Sequence, residues 1–127
     1  MSSRILYIED NPQNMRLVRK MLSLGGYQML EATDGTSGVA MARDEKPALI
    51  LMDINLPDID GTEATRILKS SPETASIPII ALTANAMHGD RDAYLNSGCD
   101  GYLAKPVTRN ELLNTVAYFL ENHHITA

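Results

Sequence analysis

Residues 48–61 read ALILMDINLPDIDG. Ala48 to Met52 form an unbroken apolar run that stops at a carboxylate, Asp53, and two more acids, Asp58 and Asp60, follow before Gly61. An apolar run of this length without polar alternation is the pattern of a strand covered on both faces, as in a parallel sheet. A charge at the end of such a strand stands where a parallel sheet meets its ligands. The reading of this stretch therefore decides both the fold and the place to look for chemistry.

Four further short apolar runs recur, ILYI (5–8), YQMLEA (27–32), IPIIAL (77–82) and GYLA (101–104), and of these PIIAL likewise shows no polar alternation. Amphipathic stretches separate them. Residues 12–24 carry Met15, Val18, Met21 and Leu22 at helical spacing, opened by Asn11-Pro12 and ended by Gly25-Gly26. Residues 35–45, 62–70 and 86–97 repeat the theme, and residues 108–121 close it, with Thr108 and Glu111 spaced as a capping box. Strand and helix alternate five times, which predicts an open, doubly wound α/β sheet of five parallel strands. A closed eight-stranded barrel needs about 250 residues, and this chain has 127. That length is expected to form one domain over residues 1–127.

Composition narrows the function classes. The net charge is −5 with no block of Lys or Arg, which argues against a nucleic-acid surface. No apolar stretch reaches the length of a membrane span, and the first residues, MSSRILYIED, lack a signal-peptide layout. The lone Cys99 excludes an internal disulfide and suits a reducing compartment, so a cytoplasmic location is expected.

The strand ends deliver Glu9-Asp10, Asp53, Thr83-Ala84 and Lys105-Pro106 to one edge of such a sheet. Ionised carboxylates about 4 Å apart repel by roughly 4 kcal/mol at an effective dielectric of about 20. Either one is protonated or a cation is bound, and an all-oxygen donor set favours Mg²⁺. A cation with a nearby lysine suits a phosphoryl group, and an aspartate can itself be the nucleophile. Asp53, at the end of the middle run, is the natural candidate.

Taken together, EDN (9–11), LILMDINLPDIDG (49–61), ALTA (81–84) and YLAKP (102–106) resemble the signature of bacterial response-regulator receiver domains, in order and at the right spacing over essentially the whole chain. The resemblance implies a flavodoxin-like fold with strand order 2-1-3-4-5. It implies that Asp53 accepts a phosphoryl group from a phosphohistidine on a histidine kinase or phosphotransfer protein. Asp10 and Asp53 would ligate Mg²⁺ directly, with the backbone carbonyl of Asn55, and Glu9 would act through water. Lys105 would pair with the phosphate, Thr83 would hydrogen-bond it, and Ala84 would leave room for it. Tyr102 would turn inward as Thr83 moves, and the Lys105–Pro106 peptide would be cis. The first acid is Glu9 where many members carry Asp.

Each residue has a plainer reading alone. Asp53 can cap a turn, Thr83 can cap a helix, Lys105 can be a surface lysine, and Tyr102 a half-buried strand aromatic. Asp58 and Asp60 are expected to be loop acids rather than ligands. His88 is expected to face solvent. The expected function is a stand-alone receiver, monomeric, with a downstream protein target and no enzymatic turnover beyond its own phosphorylation and dephosphorylation. An Asp-nucleophile phosphatase of the haloacid dehalogenase type is the first rival. It wants Asp-x-Asp after the first strand, whereas Asp53-Ile54-Asn55 follows the third. A flavodoxin needs a phosphate-cradling loop where this chain has EDNPQN. A receiver excised from a hybrid histidine kinase fits the chemistry equally.

Overall fold

The computed structural model describes residues 3–84 and 98–125. Five strands, β1 (Arg4–Ile8), β2 (Gln28–Ala32), β3 (Leu49–Asp53), β4 (Ile79–Thr83) and β5 (Gly101–Ala104), pair in parallel in the order β2-β1-β3-β4-β5. Among the described residues four helices accompany them: α1 (Pro12–Leu24), α2 (Gly35–Glu45), α3 (Gly61–Ser70) and α4 (Arg109–Ile125). The helix expected over 86–97, with His88, lies outside the described residues.

Every residue of β3 and β4 is buried. Alternate side chains of the central strands feed two cores, one on each face. Leu6, Ile8, Ile50, Met52, Ile79 and Ala81 meet Val39 and Ala42 of α2 and Ala64 and Leu68 of α3. Ile5, Tyr7, Leu49, Leu51, Ile80 and Leu82 meet Met15, Val18 and Leu22 of α1 and Leu112 and Val116 of α4. This two-sided cover explains why the β3 and β4 runs show no alternation in sequence: both pleats point into apolar surroundings. The outer strands are less covered, and β2 exposes Gln28 and Glu31.

Local chemistry sets the helix ends. The Asn11 side chain accepts from the amides of Gln13 and Asn14 at 2.8 and 3.0 Å and starts α1. Gly26, at φ +85°, carries the chain out of that helix through the left-handed region that favours glycine. The Thr108 hydroxyl accepts from the Glu111 amide at 3.2 Å while the Glu111 carboxylate accepts from the Thr108 amide at 3.3 Å, the reciprocal pair expected before α4.

Two strand ends run one residue past the apolar pattern. Asp53 is the last residue of β3 and Thr83 the last of β4. Ladder pairing continues through both, since Asp53 is in register with Leu82 and Thr83 with Ala104. Polar side chains are thus held on strand geometry, not on loops.

Candidate functional site

Register brings the acids together. Tyr7 pairs with Leu51 and Ile8 with Met52, so the next step places Glu9 beside Asp53. Both point to the α1 and α4 face by strand alternation, as do Tyr7 and Leu51. Glu9 is 1% exposed and Asp53 3%. Asp10 is exposed and lies at the rim. One carboxylate oxygen from each of the three falls within 4.8 Å of the others.

Lys105, one residue beyond β5, reaches back over this cluster. Its Nζ donates to Glu9 Oε1 at 2.9 Å and to Asp53 Oδ1 at 3.0 Å. The bonds span 96 and 52 residues of sequence. Glu9 Oε1 also accepts from the Tyr7 hydroxyl at 2.8 Å and the Asn14 side-chain amide at 3.3 Å, and Glu9 Oε2 accepts from the Asn11 amide at 3.2 Å. The Asn55 amide donates to Asp53 Oδ1 at 3.3 Å.

The charges respond to this packing. Burial acts to raise the Glu9 pKa, but hydrogen bonds from Lys105 and Tyr7 outweigh it and hold the carboxyl below its usual range. Asp53 goes the other way: burial, then the adjoining Glu9, push it up to about 6 against the pull of Lys105. Burial also works against the Lys105 charge, yet the two carboxylates hold that ammonium above an ordinary lysine. Tyr7 is pushed far up by burial and by the Glu9 charge, so its phenol keeps its proton and donates. Among the described residues, one lysine faces this cluster of three carboxylates, a local deficit of positive charge.

The donor set fits a divalent cation of the hard class. All three groups offer oxygen, and their spread is comparable with the roughly 4.2 Å between opposite ligands of octahedral Mg²⁺. Gly61 lets α3 begin against this site: a Cβ there would stand 2.5 Å from the Asp53 carbonyl oxygen and 2.7 Å from Ile54 Cα, both backbone atoms that cannot give way.

Thr83 ends β4, 1% exposed, and its carbonyl accepts from the Lys105 amide at 2.8 Å. Ala84 is exposed and lines a cavity of about 320 Å³ together with Tyr7, Asn14, Leu17 and Lys105. The Lys105–Pro106 peptide is cis. Tyr102 is half-buried on β5, in register with Ala81, and packs on the opposite core from the acids.

Four residues have roles that the sequence did not expose. Tyr7 and Asn14 both donate to Glu9. Tyr7 had a signal, since a residue two places before a strand-end acid shares its face. Asp58 accepts from the amides of Gly35 and Thr36 at 2.8 and 2.9 Å and so caps α2 from the distant β3–α3 loop. Asp60, read as a loop acid, is the N-cap of α3.

A family model described as the response regulator receiver domain matches residues 5–117. The polar-differentiation response regulator DivK of Brucella anthropi is 38% identical over 120 residues, 94% of this chain and 98% of that protein. Among solved structures, the receiver domain of a sensor histidine kinase from Pseudomonas aeruginosa is 40% identical at a TM-score of 0.89, covering 95% of this chain and 99% of that one. That structure holds a magnesium ion coordinated in its active site cleft. A CheY-like receiver protein from Methanospirillum hungatei is 28% identical at a TM-score of 0.91 over the full length of both chains. Among the described residues, no helix is long and apolar enough to cross a membrane.

Proposed function

The chain belongs to the response-regulator receiver domain family, and on that premise we propose that Asp53 accepts a phosphoryl group from a phosphohistidine on a histidine kinase or histidine phosphotransfer protein. The observation that carries this reading is the Lys105 ammonium bridging Glu9 and Asp53 above a cluster of three carboxylates. The ionised Asp53 oxygen attacks phosphorus. A P–O bond forms, the P–N bond breaks, and its electron pair stays on the imidazole nitrogen, which takes a proton from solvent. When bound, Mg²⁺ neutralises charge on the phosphoryl oxygens and on the carboxylates.

Asp10, Asp53 and the Asn55 carbonyl would hold that ion directly, and Glu9 would act through water. Lys105 turns its ammonium from Glu9 to the phosphoryl oxygens. Ala84 leaves the space, and Thr83 moves to hydrogen-bond the new group. Tyr102 follows on the neighbouring strand, and the face built from β5 and α4 changes shape for a protein target. Modification adds about 1.5 to 2 negative charges, enough to bias two states a few kcal/mol apart. The chain works as a cytoplasmic monomer, and its only chemistry is on itself. The 40% identity to a sensor-kinase receiver favours a second reading with the same site, in which Asp53 passes its phosphate onward in a relay.

The test is phosphotransfer from labelled histidine kinases and phosphotransfer proteins. Label should reach this chain in the presence of Mg²⁺ and not after chelation. Transfer from none of them, or transfer indifferent to chelation, would refute the reading. Partner binding with and without phosphate, in wild type, Thr83→Ala and Tyr102→Ala, tests the switch. Equal phosphate-dependent gains in all three would place the signal on another face.

A further inference from the structure

The Glu9 carboxylate has more donors than a metal-site acid held by one lysine would need. Its Oε1 receives the Tyr7 hydroxyl at 2.8 Å, Lys105 Nζ at 2.9 Å and Asn14 Nδ2 at 3.3 Å. These donors differ in how firmly they are held. Lys105 is shared with Asp53. Asn14 is half-buried on the surface of α1. Tyr7 is 1% exposed, on a strand flanked by β2 and β3, with its ring in the core beside Val18, Leu51 and Leu82. A tyrosine so placed has little rotamer freedom, and its hydroxyl has one acceptor to satisfy.

The direction of the bond matters. A buried carboxylate that loses a donor leans more heavily on those that remain, because one left unsatisfied costs its desolvation penalty. Any motion of Lys105 toward a new anion on Asp53 takes one donor from Glu9. The Tyr7 hydroxyl cannot follow Lys105, because the ring is locked in β1. We infer that Tyr7 is a positioning residue for the cation site: its hydroxyl holds the Glu9 carboxylate in the orientation that serves Mg²⁺, and keeps it there when Lys105 leaves. The inference rests on the proposed function. It concerns how this chain's own tyrosine supports an acid, and Tyr7 itself touches neither cation nor phosphate.

Tyr7→Phe removes the hydroxyl and keeps the ring, so the core on that face stays filled. Mg²⁺ affinity is measured by calorimetry on the full unphosphorylated chain, in wild type, Tyr7→Phe, Glu9→Gln and the double variant. Loss of a group that orients a ligand typically weakens metal binding by about 10-fold or more. That loss is expected for Tyr7→Phe in the Glu9 background. In the Glu9→Gln background Tyr7→Phe should add nothing further, since the acid it positions is gone. Melting of the four metal-free proteins reports any purely structural role, which would lower melting temperature and leave the dissociation constant alone. Equal Mg²⁺ affinity in wild type and Tyr7→Phe overturns the inference and leaves the proposed function standing. An equal weakening in both backgrounds also overturns it, because Tyr7 would then act by another route. No Mg²⁺ binding by the wild type removes the function and the inference together.

Discussion

Two lysine–aspartate pairs stand at opposite ends of the same sheet. At the carboxyl end Lys105 meets Asp53, with side-chain exposures of 22% and 4%. At the amino end Lys69 meets Asp100 at 2.9 Å, with exposures of 20% and 38%. The lysines are equally covered, so burial of the cation does not separate the pairs. What separates them is how the charges close. Lys69 also donates to the Ala75 and Ile77 carbonyls, and Asp100 accepts from the Ile79 amide at 2.8 Å, so each charge is matched and each group has work within the fold. Lys105 faces Glu9 as well as Asp53, and Asp10 stands beside both. The Lys69–Asp100 pair is a finished structural clasp tying α3 to the starts of β4 and β5. Among the described residues, the Lys105–Asp53 site is short of positive charge, and that deficit is what a cation and a transferred phosphoryl group can use.

The sharpest break of this comparison is chemical. Asp53→Asn keeps the side-chain shape and removes the nucleophile, so acetyl phosphate with Mg²⁺ should add one phosphoryl mass to the wild type and none to this variant. Asp100→Asn should label like the wild type. Mass spectrometry distinguishes the two, and full labelling of Asp53→Asn at another residue would reject the assignment.

The next effect is on stability in the presence of metal. A ligand that binds only the folded state stabilises it by about 2.7 kcal/mol at a hundredfold excess over its Kd. Thermal melting with Mg²⁺ should reveal a gain of this kind in the wild type and in Asp100→Ala, and none in Asp10→Ala. The gain should also depend on pH. The folded pKa of Asp53 is raised from 3.8 to about 6. Its contribution to metal-free stability is therefore fully present below 3.8 and lost as pH rises through about 6. Mg²⁺ offsets that loss, so its benefit should grow across the same window.

Asp100→Ala should act on stability alone. It leaves the buried Ile79 amide without its side-chain acceptor, a loss of about 1–3 kcal/mol. Denaturant unfolding measures the cost, and Mg²⁺ affinity in the same variant should match the wild type. A shift in affinity would mean that the two ends of the sheet are coupled.

The smallest effect concerns the loop after Asp53. Hydrogen bonds from the Thr36 hydroxyl and amide and the Gly35 amide hold the Asp58 carboxyl well below its usual range. A depressed pKa means that this cap contributes above the ordinary Asp value of 3.8 and fades as pH falls below it. Asp58→Asn should lower stability slightly at neutral pH, and the difference from wild type should narrow in acid. A constant difference across that range would show that charge on Asp58 does not matter to α2.

Among the described residues, the chain order of strands and helices was legible because each run carries its own period. ALILM and IPIIAL are continuous because β3 and β4 are covered on both faces, while the polar Gln28 and Glu31 in YQMLEA mark β2 as an edge strand. Asn11, Gly26 and the Thr108–Glu111 pair announce helix ends through contacts within a few residues. The acids and Lys105 were legible as strand-end residues, and Asp53 stood out by ending the most apolar run. All of these are local signals, written in neighbours that meet whatever the rest of the chain does.

Tertiary structure alone decided which groups touch. The Tyr7 hydroxyl meets Glu9 rather than water because α1, α4 and β3 close around it. Lys105 bridges Glu9 and Asp53 because strand order sets β1 beside β3 and its neighbours carry β5 within a side chain's reach. Asp58 became a second acceptor, beside the N-cap Asp34, at the start of a helix that begins 23 residues earlier, and Asp53 rather than Glu9 became the acid with the raised pKa because the donors gather on Glu9. The physical reason is common to these cases. A hydrogen bond is worth something only at about 3 Å and in good alignment, and across tens of residues that geometry comes from register and packing, which no local pattern encodes.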